Sequence, residues 1–90
     1  MITVLVNYQV NDFGVWVTQF DQHESIRIME GVKLLNMYHA TDDSNSITVL
    51  FLASSMDAVK NVFENPTLQK ELREAGAEKI EIQILNKLLL

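Results

Sequence analysis

The stretch Ile47-Thr48-Val49-Leu50-Phe51-Leu52-Ala53 constrains this chain more than any other. Its β-branched and aromatic residues read as a strand. Successive side chains of a strand point to opposite faces. Ile47, Val49, Phe51 and Ala53 therefore share one face, and Thr48, Leu50 and Leu52 share the other. An antiparallel sheet with helices on one side and water on the other alternates apolar with polar residues, and this segment does not. Val4-Leu5-Val6 and the run VKLLNM, residues 32–37, carry the same surplus. Helices from a chain of 90 residues can cover only one face. A second copy of the same sheet is the simplest cover for the other. Six or so side chains buried at ~1.5–3 kcal/mol each would yield on the order of ten kcal/mol before association costs. The pattern predicts a homodimer joined through its sheet faces.

The remaining elements follow from local signals. Ile2, Val4, Val6, Tyr8 and Val10 alternate at period two and predict a first strand over 2–10. Asn11 or Asp12 then caps a helix to about Gln22, with Phe13, Trp16, Val17 and Phe20 on one apolar stripe. Glu24 to Glu30 reads as a turn or short helix ended by Gly31, and Gly31 to Ala40 as the second strand. The polar run TDDSNS, residues 41–46, reads as the loop of a hairpin whose third strand is Ile47–Ala53. Ser54 with Asp57 resembles a capping box for a helix carrying Ala58, Val59, Val62 and Phe63. Asn65-Pro66 restarts it with Leu68 and Leu72, Gly76 closes it, and Ala77 to Leu85 forms the last strand. The order β-α-β-β-α-β is the α+β, ferredoxin-like plan in one domain, residues 1–90.

Charge and composition exclude several functions. Twelve acidic against seven scattered basic residues give a net charge of −5, which argues against nucleic acid as a partner because phosphate neutralisation dominates such binding. No apolar run reaches the length of a membrane span. The first residues, MITVLVNYQV, lack the basic start of a signal peptide, and the chain has no cysteine. The expectation is a cytoplasmic protein. The three glycines are isolated, so there is no phosphate-cradling loop. Nucleophilic triads lack a cysteine and a serine elbow. Asp42-Asp43-Ser44-Asn45 lacks the glycine and glutamate of a calcium loop. Asp21, His23 and Glu24 do not form a metal-ligand spacing and read as a solvated helix end.

The run "SNSITVLFLASSMDAVKNVFENPTLQKELREAGAEKIEIQIL", residues 44–85, resembles the dimeric α+β barrel superfamily, specifically its antibiotic-biosynthesis-monooxygenase-like group. The pattern Phe13, Trp16, Phe20, Asp21, Glu24 is also similar to a family of small, uncharacterised, largely cyanobacterial proteins. The first resemblance implies a dimer with facing sheets and, in each protomer, a small-molecule pocket between sheet and helices. Its members include cofactor-free oxygenases of phenolic or quinol substrates, haem-degrading enzymes and proteins without known activity. The haem-degrading branch implies an Asn on the first strand, a Trp on the third and a His in the second helical region. Asn7 matches, but Phe51 stands near the Trp position and residues 54–76 contain no histidine. No cofactor and no metal are therefore expected.

Cofactor-free oxygenation needs a base or donor that favours the substrate anion. The candidates for that role are Asn7 and His39, with Tyr8 beside them. An imidazole is a side-chain type suited to such a role, although the plainer reading of His39 is an idle residue at a strand end. Trp16, Asn36, Tyr38 and Phe51 are the candidate substrate-binding residues, Trp16 being in the first place a core residue whose indole N–H wants a partner. Three readings stay open: a homodimer binding a small hydrophobic or aromatic molecule, a cofactor-independent monooxygenase, and a structural or interaction module without a ligand.

Overall fold

A computed structural model describes residues 1–88. The elements run β1 (Ile2–Val10), α1 (Phe13–Gln22), α2 (Glu24–Met29), β2 (Val32–Ala40), β3 (Asp43–Ala53), α3 (Met56–Phe63), α4 (Pro66–Glu74) and β4 (Ala77–Leu85). The four strands form one sheet in the order β2-β3-β1-β4, every neighbouring pair antiparallel. This is the ferredoxin-like α+β arrangement that the sequence pattern predicts, each helical region divided in two. Among the described residues, no helix is long and apolar enough to cross a membrane.

Local chemistry accounts for the boundaries. The Asp12 carboxylate accepts from the Val15 N–H at 3.1 Å and starts α1. The Asn65 side chain accepts from the N–H groups of Thr67 and Leu68, with Pro66 in the first helical position. Gly76 has φ +109° and ends α4. A Cβ there would also meet the side-chain oxygen of Asn11, but that exposed side chain can swing aside, and the backbone conformation is what calls for glycine.

Three expectations need correction. The hairpin loop is not six residues long: Ala40 pairs with Asp43, leaving only Thr41 and Asp42 in the turn. The polar residues 43–46 are drawn into β3 because the ladders with β2 and β1 continue past the apolar stretch, Gln9 pairing with Ser46. The cap of α3 is Ser55, whose hydroxyl accepts from the Ala58 N–H at 3.1 Å, whereas the Ser54 N–H donates to the Gly31 carbonyl at 2.9 Å. Phe13, assigned to the core stripe, stands in the first turn of α1 and is 36% exposed.

The core lies between the helices and one face of the sheet. Val4, Val6, Tyr8 and Val10 of β1 and Ile47, Val49, Phe51 and Ala53 of β3 point into it. Ring centroids form a chain: Tyr8 to Trp16 at 4.8 Å, Trp16 to Phe20 at 4.9 Å, Phe20 to Phe51 at 6.0 Å and Phe51 to Phe63 at 5.1 Å. These tilted and edge-on pairs lie in the favourable range for aromatic contacts. On the opposite face, Leu5, Leu50 and Leu52 are half-buried by neighbouring strand residues, while Tyr38 is exposed. Among the described residues, no helix covers that face.

Because Phe51 bridges two other rings at full burial, Phe51→Ala is expected to lower the unfolding free energy by about 3–5 kcal/mol. Phe13→Ala should cost well under half as much. Urea unfolding followed by circular dichroism compares the two, and equal losses would show that the ring chain is not the centre of the core.

Candidate functional site

The helical stripe does not stop at the end of α1. Trp16, Phe20, His23 and Arg27 follow at spacings of four, three and four, so one inward face runs through the α1–α2 junction. His23 caps α1 with φ −85° and ψ −3°, its N–H donating to the Phe20 carbonyl at 3.1 Å. That nearly helical backbone keeps the imidazole turned inward, and His23 is only 4% exposed. The solvated helix end expected here holds for Asp21 and Glu24, which are exposed, but not for His23.

His23 meets α4. Its Nε2 lies 2.6 Å from the Glu71 carboxylate, and the Gln19 amide donates to the same carboxylate oxygen at 3.1 Å. Two bare acceptors would repel at 2.6 Å, so the ring proton sits on Nε2 and is donated to Glu71. In the neutral ring Nδ1 is then the remaining acceptor. The Glu71 side chain is 41% exposed. The arrangement is a buried imidazole with a carboxylate closing over it from the solvent side.

One turn further on, Arg27 is 5% exposed. Its guanidinium stacks 4.0 Å from the Phe20 ring centroid and 5.8 Å from that of Phe51. An Nη1 hydrogen donates to the Phe20 carbonyl at 2.8 Å. Among the described residues, no carboxylate lies within ion-pair distance of it. Desolvation lowers the Arg27 pKa, against the raising influence of Tyr8, Glu24 and Asp21, yet a guanidinium stays charged at neutral pH. Burial pushes the Tyr8 phenol far up, with Arg27 opposing, so Tyr8 remains a neutral O–H.

Tyr8, His23 and Arg27 line the same cavity, of about 30 Å³, together with Phe20, Phe51 and Phe63. Ile80 and Ile82 of β4 line it as well. The two buried residues of charged or polar type among those described, His23 and Arg27, both stand on this wall. Trp16 packs behind Phe20, and its buried indole N–H has no partner among the described residues.

The six residues singled out from the sequence do not converge. Phe51 lines the cavity and Trp16 belongs to the core behind it. Asn7 lies on the opposite face of the sheet, accepting from the Thr48 hydroxyl at 2.7 Å. It precedes Tyr8 on the strand, so period-two alternation separates it from the cavity. Asn36 and Tyr38 share its face because a register shift between Leu34 and Asn36 reverses the parity of β2. His39 pairs with Ile47 on the helix side, exposed at the sheet end, its Nδ1 2.8 Å from the Ala40 carbonyl oxygen. Asn7 and His39 therefore occupy opposite faces of one protomer. His23, Arg27 and Glu71 are the polar residues the sequence reading missed; the signal for the first two was the stripe continuing beyond Phe20.

No protein-family profile and no curated protein matches the chain. Solved structures do. A putative antibiotic biosynthesis monooxygenase from Bordetella bronchiseptica superposes with a TM-score of 0.76 at 13% identity, covering 98% of this chain and 97% of that one. SnoaB, a cofactor-independent oxygenase from Streptomyces nogalater, solved as a mutant, gives 0.73 at 12% identity over 99% and 94%. Rv0793 from Mycobacterium tuberculosis gives 0.73 at 13% over 99% and 96%. The chain has the α+β fold of the antibiotic-biosynthesis-monooxygenase domain proteins, as the strand–helix pattern of residues 44–85 implies.

The Tyr8 pKa is raised on folding from 10.0. The stability tied to its neutral form is fully present below about pH 10 and declines as pH rises beyond that, where the unfolded phenol ionises and the folded one resists. Urea midpoints measured across the alkaline range should therefore fall more steeply for the wild type than for Tyr8→Phe. Parallel curves would contradict the buried, protonated phenol.

Proposed function

We propose that two copies of the chain close their open sheet faces on each other, and that each protomer binds a small hydrophobic or aromatic molecule between its own sheet and helices. The convergence of His23, Arg27 and Tyr8 on one aromatic-walled cavity carries the ligand reading. Polar groups are costly inside an apolar core, and a ligand site is where a few of them gather among rings. The half-buried Leu5, Leu50 and Leu52, with Leu35 and Tyr38 exposed beside them, support the dimer.

A cavity of 30 Å³ holds roughly two waters. A ring must therefore part α1 and α2 from α4, and the polar cluster of Gln19, His23 and Glu71 spans that seam. Such contacts, open to water on one side, yield more readily than the packed rings beneath them. A second reading is cofactor-independent oxygenation of a phenol or quinol, favoured by the His23–Glu71 pair. His23 would take the phenolic proton at Nδ1 and Glu71 would hold the imidazolium, while the substrate anion supplies electrons to oxygen.

Trp16 is the single tryptophan and its emission reports on the core. Sedimentation at micromolar concentration is expected to give a dimer, and naphthols should change Trp16 emission saturably. Oxygen uptake with hydroquinones, abolished in His23→Ala, would select the oxygenase reading. A well-folded monomer whose emission no aromatic compound alters would leave the chain as an interaction module and overturn the proposal.

A further inference from the structure

We propose that Arg27 makes this cavity selective for the carboxylate end of an aromatic acid. The inference rests on the ligand reading above and names the class of molecule bound there. Arginine is almost never fully buried unless it is paired, because a desolvated charge without a counter-charge is costly. Arg27 is buried, and its compensation within the chain is partial. The face of its guanidinium is used by Phe20, and one N–H by the Phe20 carbonyl. The carboxylates that act on it, Glu24 and Asp21, do so from exposed positions on the same helical segment and outside ion-pair distance. Glu71, on the facing helix, is committed to His23 and Gln19. What stays open is the rest of a planar fork of donors, the shape that a carboxylate accepts in two parallel hydrogen bonds.

The surroundings fit the same class. Tyr8, held as a neutral phenol, shares the wall and is close enough to Arg27 for each to shift the other's ionisation. It offers an O–H to the anion that Arg27 attracts. The free volume of about 30 Å³ matches a group the size of a carboxylate, roughly the space of two waters. The charged end can thus be seated without moving the core, and only the ring needs the seam between α1–α2 and α4 to widen. Phe20, Phe51 and Phe63 then supply the faces against which that ring packs.

The test uses a pair of ligands alike in ring and size, 1-naphthoate and 1-naphthamide, of which only the first carries a charge and two acceptor oxygens, titrated calorimetrically into the wild-type protein at neutral pH. The acid is expected to bind at least ten-fold more tightly than the amide. Arg27→Met should reduce that ratio to near one, and Arg27→Lys should restore part of it, a lysine supplying charge without the fork. Equal wild-type affinities for acid and amide would overturn the selectivity and leave the aromatic-ligand reading standing. Binding of neither compound, with no response of Trp16 emission to naphthols either, would overturn both. The comparison of the two ligands on the wild type decides the matter even if the Arg27 variants fail to fold.

Discussion

The chain of rings from Tyr8 through Trp16, Phe20 and Phe51 to Phe63 ties each layer of the molecule to the next. Tyr8 and Phe51 belong to the two central strands, Trp16 and Phe20 to the first helix, and Phe63 to the third. Their contacts set how far α1 stands above the sheet, and that height determines what can lie beneath the α1–α2 junction. A smaller residue at Phe20 would remove the seat on which the Arg27 guanidinium rests. The apolar core and the charged site are in this sense one construction: the cation is tolerated inside because rings flank it.

The polar residues divide the same region differently. His23 and Arg27 come from one continuous helical face, while Glu71 and Gln69 come from α4, which packs against both α1 and β4. Gln69 donates to the Phe63 carbonyl across the α3–α4 junction, so the backbone there is also held by a side chain. The cavity is bounded by two helical units, joined on the solvent side by the hydrogen bonds among Gln19, His23 and Glu71 and beneath them by buried Phe20, Leu68 and Leu72.

Much of the fold was legible because its signals are local. Asp12, Asn65, Pro66, Gly31 and Gly76 mark helix ends through caps and backbone conformations that depend on a few neighbours. The hairpin was misjudged where a ladder outweighed composition: residues 43–46 look like a loop, yet their partners on β1 and β2 keep them extended. The site was less legible for two physical reasons. Both faces of β3 are apolar, so alternation separates the faces without saying which one the helices cover. The irregularity near Leu35 then reverses parity within β2, which no period-two reading of VKLLNMYHA can anticipate. Glu71 reaches His23 across 48 positions, a contact that exists only once the helices are docked.

That irregularity in β2 has another effect. β2 and β4 form the two margins of the sheet, where unpaired backbone groups face outward. An unbroken margin invites further strands to add, and open-ended ribbons grow in that way. Here one margin is kinked beside Leu35 and the other carries Glu78, Lys79 and Glu81 along its length. Lateral growth by strand addition is therefore discouraged at both sides of the sheet.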